Sequence, residues 1–271
     1  MSLALRTRQR KLAAQRASAP APKSGRKSEG SAKQPDAPRD PAAGEYQLQL
    51  ASMGADLGAL KSLQSVEAKI DLKAHLLPKY DAWCEGVIEA AAAAESRAER
   101  LDTDLVLVES LIWAIDVGDL GRALPRIRVA FRHGMDLPQR FERTIGCLVA
   151  EEIAETANKA MATDKAHIAD IPVLVEIAEL TTDHDMPDQA RAKLHKAIGT
   201  AFERAATAAA ERADGPAGKE KAGLEAALQA YRRALALDDK SGVKKSIERT
   251  ERALKKLADA ADKDTGGSPQ G

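Results

Sequence analysis

Apolar residues recur at helical spacing between Met186 and Leu257, and they predict three amphipathic helices in this segment. Steps of three and four residues place each apolar series on one face of a helix. Each helix alone would leave its apolar stripe in water, so we expect the three helices to pack together. The series are Ala190, Leu194, Ala197 or Ile198, Ala201 and Ala205; Leu224, Ala227 or Leu228, Tyr231 and Leu235; and Val243, Ile247, Leu254 and Leu257.

The same periodicity continues upstream, where glycine, proline and aspartate mark the predicted helix ends. The first three predicted helices run from Tyr46 to Gly54, from Asp56, which caps the helix, to Leu77, and from Asp81 through Ala94. A helical hairpin follows, which is capped at Asp102 to Asp104, broken at Gly118 and ended by Gly134. Two further helices are predicted from Gln139 to about Met161 and from Ile171 to Thr181, the second with Pro172 in its first turn. The alanine run from Ala90 to Ala94 favours either a close helix contact at a subunit interface or a solvated helix.

These elements predict an all-α protein made of stacked antiparallel helical hairpins. The C-terminal part pairs two helices along a seam of aromatic and small residues and then adds a more charged helix. This arrangement is similar to a tetratricopeptide hairpin followed by its capping helix. Arrays of this kind are usually platforms for other macromolecules.

Charge is distributed unevenly, although the chain is neutral overall. Residues 1–40 hold ten basic and three acidic residues, a net charge of +7, so the remaining 231 residues sum to −7. Proline, alanine, serine and glycine are frequent up to residue 44, which predicts a disordered basic tail. Such a tail is suited to an anionic partner, and the alternatives are attraction to the body of the protein or a solubilising extension. The candidate phosphate contacts in it are Arg6, Arg8, Arg10, Lys11 and Arg16.

Cysteine usage and hydropathy indicate a reducing compartment and no membrane. Cys84 and Cys147 are too far apart for a metal or redox motif. No apolar run approaches about 18 residues. The Arg-rich start lacks the apolar region of a secretory signal, and an organellar transit peptide is the less favoured alternative.

Catalytic motifs are sparse, and no catalytic residue, metal or cofactor is predicted. The chain lacks the GxxxxGK[ST] phosphate loop of ATP-binding proteins. Glu67, Ala68 and Lys69, preceded by Asp56, have the letters of a nuclease E-x-K set. Those sets lie on paired strands, whereas this stretch predicts a solvated helix face.

A second acidic cluster lies at Asp183, His184, Asp185 and Asp188. Its residue types could bind a metal ion. Its position before and inside the first turn of a helix favours a different role, in which the acids offset the positive end of the helix dipole.

Several blocks in one order resemble the small terminase subunit, or endonuclease subunit, of temperate tailed phages. They are YQLQLASMGADLGALKSL and LLPKYDAWCEGVIE between Tyr46 and Glu89, DVGDLGRAL from Asp116 to Leu124, PDQARAKLHKAIG, and ALQAYRRALALDDKSGVKKSIERTERALK. The resemblance covers most of the chain from Tyr46 to about Leu257. It implies a ring-like oligomer that recognises the packaging site of the phage DNA and recruits the large terminase subunit, which carries the ATPase and the nuclease, in the cytoplasm of the bacterial host cell.

Lys61, Lys69 and Lys73 are the candidate DNA contacts outside the tail, although no convincing helix-turn-helix surrounds them. The alternative function is a helical-repeat adaptor that binds proteins and not DNA. A nuclease centred on Glu67 is the weakest hypothesis.

The predicted organisation is a tail over 1–44, a DNA-binding and oligomerisation region over 45–100, central hairpins over 101–182, a tetratricopeptide-like region over 183–258 and a disordered tail over 259–271.

Overall fold

The computed structural model describes residues 41–211 and 218–265, which form helices and short connections without any strand. The predicted all-α class is therefore confirmed, while the tetratricopeptide-like stacking and the internal domain boundaries stay predictions. The helices are α1 (Pro41–Ser62), α2 (Val66–Leu76), α3 (Asp81–Glu95), α4 (Leu105–Asp116), α5 (Leu120–His133), α6 (Ile145–Thr163), α7 (Ile171–Leu180), α8 (Asp188–Ala210), α9 (Lys219–Leu237) and α10 (Lys244–Thr265), with a 3-10 turn at Leu77–Tyr80 between α2 and α3.

Helix α4 lies at the centre of the core. Every residue from Val106 to Ile115 is buried, including Glu109 and Ser110. Asp104 caps the helix by accepting a hydrogen bond from the Leu107 amide at 2.8 Å, as the sequence predicts. One continuous cluster of buried apolar residues extends from Met53 to Ala230 around it.

Other predicted helix ends are also found where local chemistry places them. Gly134 ends α5 with a φ of 67°, a left-handed conformation that glycine adopts readily. Asp170 caps α7 through the Val173 amide at 3.2 Å, and Pro172 lies in the first turn of that helix. Helix caps and first-turn prolines act over three or four residues, so they can be predicted directly from the sequence.

The predicted break at Gly54 is wrong, because α1 runs unbroken from Pro41 to Ser62. Gly54 is exposed with open space around its Cα, and a helix tolerates such a glycine at a small cost. Asp56 does not cap a helix, because its carboxylate accepts hydrogen bonds from the Tyr80 hydroxyl at 2.5 Å and from Lys79 at 2.7 Å. Helix α2 instead begins after Ser65, whose hydroxyl accepts from the Ala68 amide.

The predicted start of α6 at Gln139 is also wrong. The helix begins at Ile145, after Thr144 accepts a hydrogen bond from the Cys147 amide at 3.2 Å. Residues 139–143 form a connection whose arginines bind carboxylates on α4 and α6. The apolar pattern of α6 alone did not show this, because the ion pairs that these residues form involve other elements of the tertiary structure.

Helices α8 and α9 pack closely in antiparallel orientation. Gly199 of α8 lies against the ring of Tyr231, while Ala206, further along α8, meets Gly223 near the start of α9. Tyr231 is only 1% exposed and its hydroxyl donates to Glu203 at 2.7 Å. Burial and the neighbouring carboxylate raise the pKa of Tyr231 to about 12, so the hydroxyl stays protonated at neutral pH.

The close approach at Gly199 makes this glycine necessary for the packing of α8 on α9. A Cβ at this position would lie 2.6 Å from the Tyr231 ring, which its hydrogen bonds hold in place. We expect Gly199→Ala to lower the free energy of unfolding by about 1–3 kcal/mol, as overpacked cores do. Urea denaturation followed by circular dichroism measures the change.

Gly54→Ala is the matched control, since it replaces a glycine inside α1 with nothing within 4 Å. We expect it to be neutral or to stabilise the fold by about 0.5 kcal/mol, because alanine favours the helix. Equal effects of the two substitutions would contradict the packing of Tyr231 on Gly199.

Candidate nucleic-acid interface

The structure brings the three predicted lysines of the helical body to one groove. Lys61 lies in the last turn of α1, and Lys69 and Lys73 are one turn apart on α2. The groove has a volume of about 450 Å³, and Trp113 of α4 is among the residues that line it. Sequence spacing alone did not place Lys61 beside the other two, because a break in the helix separates them.

The lysines differ in how they are paired. Lys73 forms an ion pair with Asp116 at the end of α4, and both side chains are partly buried. Lys61 and Lys69 have no carboxylate within ion-pair distance in the part of the chain that the structure describes. Lys61 and Lys69 are therefore the better placed of the three to bind an anion.

Two arginines that the sequence analysis missed complete the groove. Arg140 and Arg143 come from the connection between α5 and α6 and line the same groove as the three lysines. They were missed because the sequence pattern placed both arginines inside a helix predicted to begin at Gln139. The polar sequence around Pro138, with two arginines three residues apart, is the feature that could have revealed them.

Arg140 holds the only charged residue buried inside α4. The Glu109 side chain is 4% exposed, and both of its oxygens accept hydrogen bonds from the Arg140 guanidinium. A paired geometry of this kind compensates for the loss of hydration of a buried carboxylate. Arg140 is 46% exposed, so it lines the groove while Glu109 holds its guanidinium in place.

Arg143 is held by α6. It donates to Glu151 at 2.7 Å and to Glu152 at 2.6 Å, and Lys193 of α8 also donates to Glu151 at 2.8 Å. The Lys193 hydrogen bond, together with Arg143, lowers the pKa of Glu151. Glu151 thus stays ionised and links the connection before α6 to α8.

In total, the residues lining the groove include five cationic side chains and two carboxylates, those of Asp116 and Glu152. Lys73, Arg140 and Arg143 are paired with carboxylates, so Lys61 and Lys69 supply most of the available positive charge, which suits a phosphate group or another anion. The predicted contacts Arg6, Arg8, Arg10, Lys11 and Arg16 lie outside the described residues.

The E-x-K set and the acidic cluster have structural surroundings of their own. Glu67 and Lys69 lie on α2, as the helical pattern predicts, and Glu67 is exposed in its first turn. His184 packs on Gly146, and its ring centroid lies 4.7 Å from that of Phe131, with the two ring planes tilted by 40°. Across residues 41–211 and 218–265, no group of three or more metal-ligating side chains is close enough to hold an ion.

No helix within the described ranges is long and apolar enough to cross a lipid bilayer.

Fold and groove together define an all-helical protein that presents a concave cationic surface. The model of the phage small terminase subunit family matches residues 50–189, which include every residue that lines the groove. The chain belongs to the phage small terminase subunit family, which acts in the packaging of phage DNA.

Two curated relatives support this assignment. The chain is 36% identical over 210 residues to the "Terminase, endonuclease subunit" of Escherichia phage P2, which covers 78% of this chain and 74% of that protein. It is 25% identical over 234 residues to the "Probable terminase, endonuclease subunit" of Haemophilus phage HP1, covering 83% and 76%. No solved structure matches the chain.

The buried pair of Glu109 and Arg140 gives a prediction for stability. Arg140→Ala would leave the buried carboxylate without a partner, and we expect it to lower the free energy of unfolding by about 2 kcal/mol. This is less than for a fully buried pair, because Arg140 is half exposed. Combining it with Glu109→Gln should recover much of the loss, since the buried charge is then gone. Urea denaturation of Arg140→Ala, Glu109→Gln and the double variant measures the coupling.

Arg132→Ala is the control, because Arg132 pairs with Glu95 at 2.9 Å on the surface, where the two side chains are 65% and 37% exposed. Exposed pairs contribute at most about 1 kcal/mol. An Arg140→Ala variant as stable as the Arg132→Ala variant would show that Glu109 does not depend on Arg140.

Proposed function

We propose that this chain recognises the packaging-site DNA of a phage and that the groove of Lys61, Lys69, Lys73, Arg140 and Arg143 holds the DNA backbone. The convergence of these five side chains from α1, α2 and the connection before α6 carries the proposal. Phosphate contacts fix the position of a protein on the duplex and make its affinity fall steeply with salt.

The groove also limits what these residues do. Its cationic side chains can bind phosphates of any sequence, so preference for the packaging site requires base contacts or DNA shape as well. The basic segment with Arg6, Arg8, Arg10, Lys11 and Arg16 adds contacts of the same sequence-independent kind, which raise affinity without raising specificity.

Membership in the family supports three further parts of the proposal. The chain forms a homo-oligomer, recruits the large terminase subunit, and acts in the cytoplasm of the bacterial host cell. We assign oligomerisation to region 45–100 and protein binding to region 183–258, where α8, α9 and α10 form a tetratricopeptide-like unit. The large subunit carries the ATPase and the nuclease, so that "endonuclease" in the names of the relatives describes the activity of the whole terminase.

The DNA-binding role is tested by fluorescence anisotropy of the full-length chain with two duplexes, one from the ends of the phage genome and one of shuffled sequence. We expect tighter binding to the genome ends. The double variant Lys61→Gln/Lys69→Gln should weaken binding to both duplexes and reduce the slope of log K against log salt by about 1–2, since each phosphate contact contributes about 0.9.

Two further variants separate the contributions. Replacing Arg6, Arg8, Arg10, Lys11 and Arg16 by glutamine should lower both affinities and leave the preference for genome ends. Lys255→Gln/Lys256→Gln, on the exposed surface of α10, removes the same charge as the groove variant and should have little effect. Absence of binding to either duplex by the unaltered chain would refute DNA recognition and favour the protein-binding adaptor.

A cleavage assay tests where the nuclease resides. We expect Glu67→Ala to leave DNA cutting by the assembled terminase unchanged, because Glu67 is an exposed residue in the first turn of α2. Cutting by this chain alone in the presence of Mg²⁺, and its loss in Glu67→Ala, would instead assign the nuclease to this chain.

A further inference from the structure

A second groove of about 500 Å³ lies between α6, α8 and the turn that joins α9 to α10. Four lysines line it, against the two carboxylates of Glu155 and Asp238. Lys159 comes from α6, Lys193 and Lys196 from α8, and Lys240 from the turn. The four cations therefore converge from three elements that are distant in sequence, as in the first groove.

Some of these four lysines form no ion pair, so their positive charge is available to bind an anion. Lys193 is bound to Glu151 and Glu155. Lys196 donates to the carbonyl oxygen of Ser241 at 3.0 Å, which satisfies one of its three N–H groups and no carboxylate. Lys159 and Lys240 form no ion pair with any residue in the two described ranges.

The turn at the edge of this groove holds an unsatisfied polar group. The hydroxyl oxygen of Ser241 is buried and has no hydrogen-bond partner among the described residues. Buried hydroxyl groups are nearly always hydrogen-bonded, and one without a partner calls for an explanation. The Lys196 ammonium lies at the Ser241 carbonyl, and Lys159, Lys193 and Lys240 line the same groove. A ligand with acceptor oxygens in this groove would therefore satisfy the hydroxyl and the lysines together.

Helix α10 starts beside the groove with an unusual charge distribution. Its first turn contains Lys244 and Lys245 and no acidic residue. Cations are unfavourable at the positive end of a helix dipole, and an anion bound there offsets the cost. This arrangement adds a second reason, independent of the groove itself, for an anion at this end of the molecule.

A carboxylate of α6 connects a residue of the first groove to a residue of the second. Glu151 accepts hydrogen bonds from Arg143, which lines the first groove, and from Lys193, which lines the second. Along α6, Glu152 lines the first groove and Lys159 the second. Seven residues of helix cover only about 10 Å. A single duplex laid along α6 can therefore meet both grooves.

We propose that the second groove, formed by Lys159, Lys193, Lys196, Lys240 and Ser241, binds a phosphate group of the same DNA that occupies the first groove. This inference rests on the proposed function, because it takes phage DNA as the ligand. The groove offers charge and hydrogen-bond donors, so it positions the duplex without reading its sequence. It also extends the DNA-contacting surface into region 183–258, beyond the part of the chain that the family model matches.

The test is Lys159→Gln/Lys240→Gln in the full-length chain, because neither lysine pairs with a described carboxylate. With a fluorescein-labelled duplex, we expect the slope of log K against log salt to fall by about 1, the contribution of one phosphate contact, and the dissociation constant at about 0.1 M salt to rise about ten-fold. Lys255→Gln/Lys256→Gln, with the same loss of charge elsewhere on α10, should leave both quantities unchanged. Circular dichroism and thermal unfolding confirm that each variant is folded.

Comparison with Lys61→Gln/Lys69→Gln distinguishes this inference from the proposed function. If the first-groove variant weakens binding and Lys159→Gln/Lys240→Gln does not, the second groove is not a DNA contact, while DNA recognition stands. Absence of DNA binding by the unaltered chain overturns both.

Inorganic phosphate distinguishes DNA from a free ion as the ligand. Titration of phosphate at constant ionic strength, in the absence of DNA, is followed through the two-dimensional NMR amide resonances of Ser241 and Gly242. Saturable binding of phosphate at low concentration, with an unchanged DNA salt slope in Lys159→Gln/Lys240→Gln, would assign the groove to a free anion and overturn the inference.

Discussion

The burial of α4 on every side constrains the rest of the structure. A helix surrounded by protein must satisfy its polar side chains from its neighbours, since water is absent. Glu109 obtains its partner from Arg140 in the connection before α6, and Ser110 meets the thiol of Cys84 on α3 at 3.1 Å. The central helix thus fixes the segment that supplies the arginines of the first groove.

A second contact orders α3 and α5, which also pack on α4. Arg126 of α5 is 3% exposed and donates to Asp81, at the start of α3, at 2.6 Å. Burial raises the pKa of Asp81, but hydrogen bonds from Arg122 and Arg126 outweigh it, and the pKa is lowered. The Asp81 carboxylate is therefore charged at neutral pH, and it holds α3 against α5.

Helix α6 organises the electrostatics of the proposed DNA-binding face. Its glutamates at positions 151, 152 and 155 hold Arg143 and Lys193 in fixed positions at the edges of the two grooves. These carboxylates also lower the net charge of the face, so that DNA phosphates compete with them for the same donors. A surface of this kind binds an extended polyanion through many weak contacts and responds strongly to salt.

The sequence by itself determined the helical class, most helix positions and the chemistry of their ends, because periodicity and caps act within about four residues. Asp104, Gly134 and Pro172 are examples. It also identified Lys61, Lys69 and Lys73 as cationic candidates. The tertiary structure decided which cations converge, since the partners of Lys73 and Arg140 are 43 and 31 residues away. Packing around α4 selects such partners, and no local pattern encodes them, which explains why the groove includes Arg140 and Arg143.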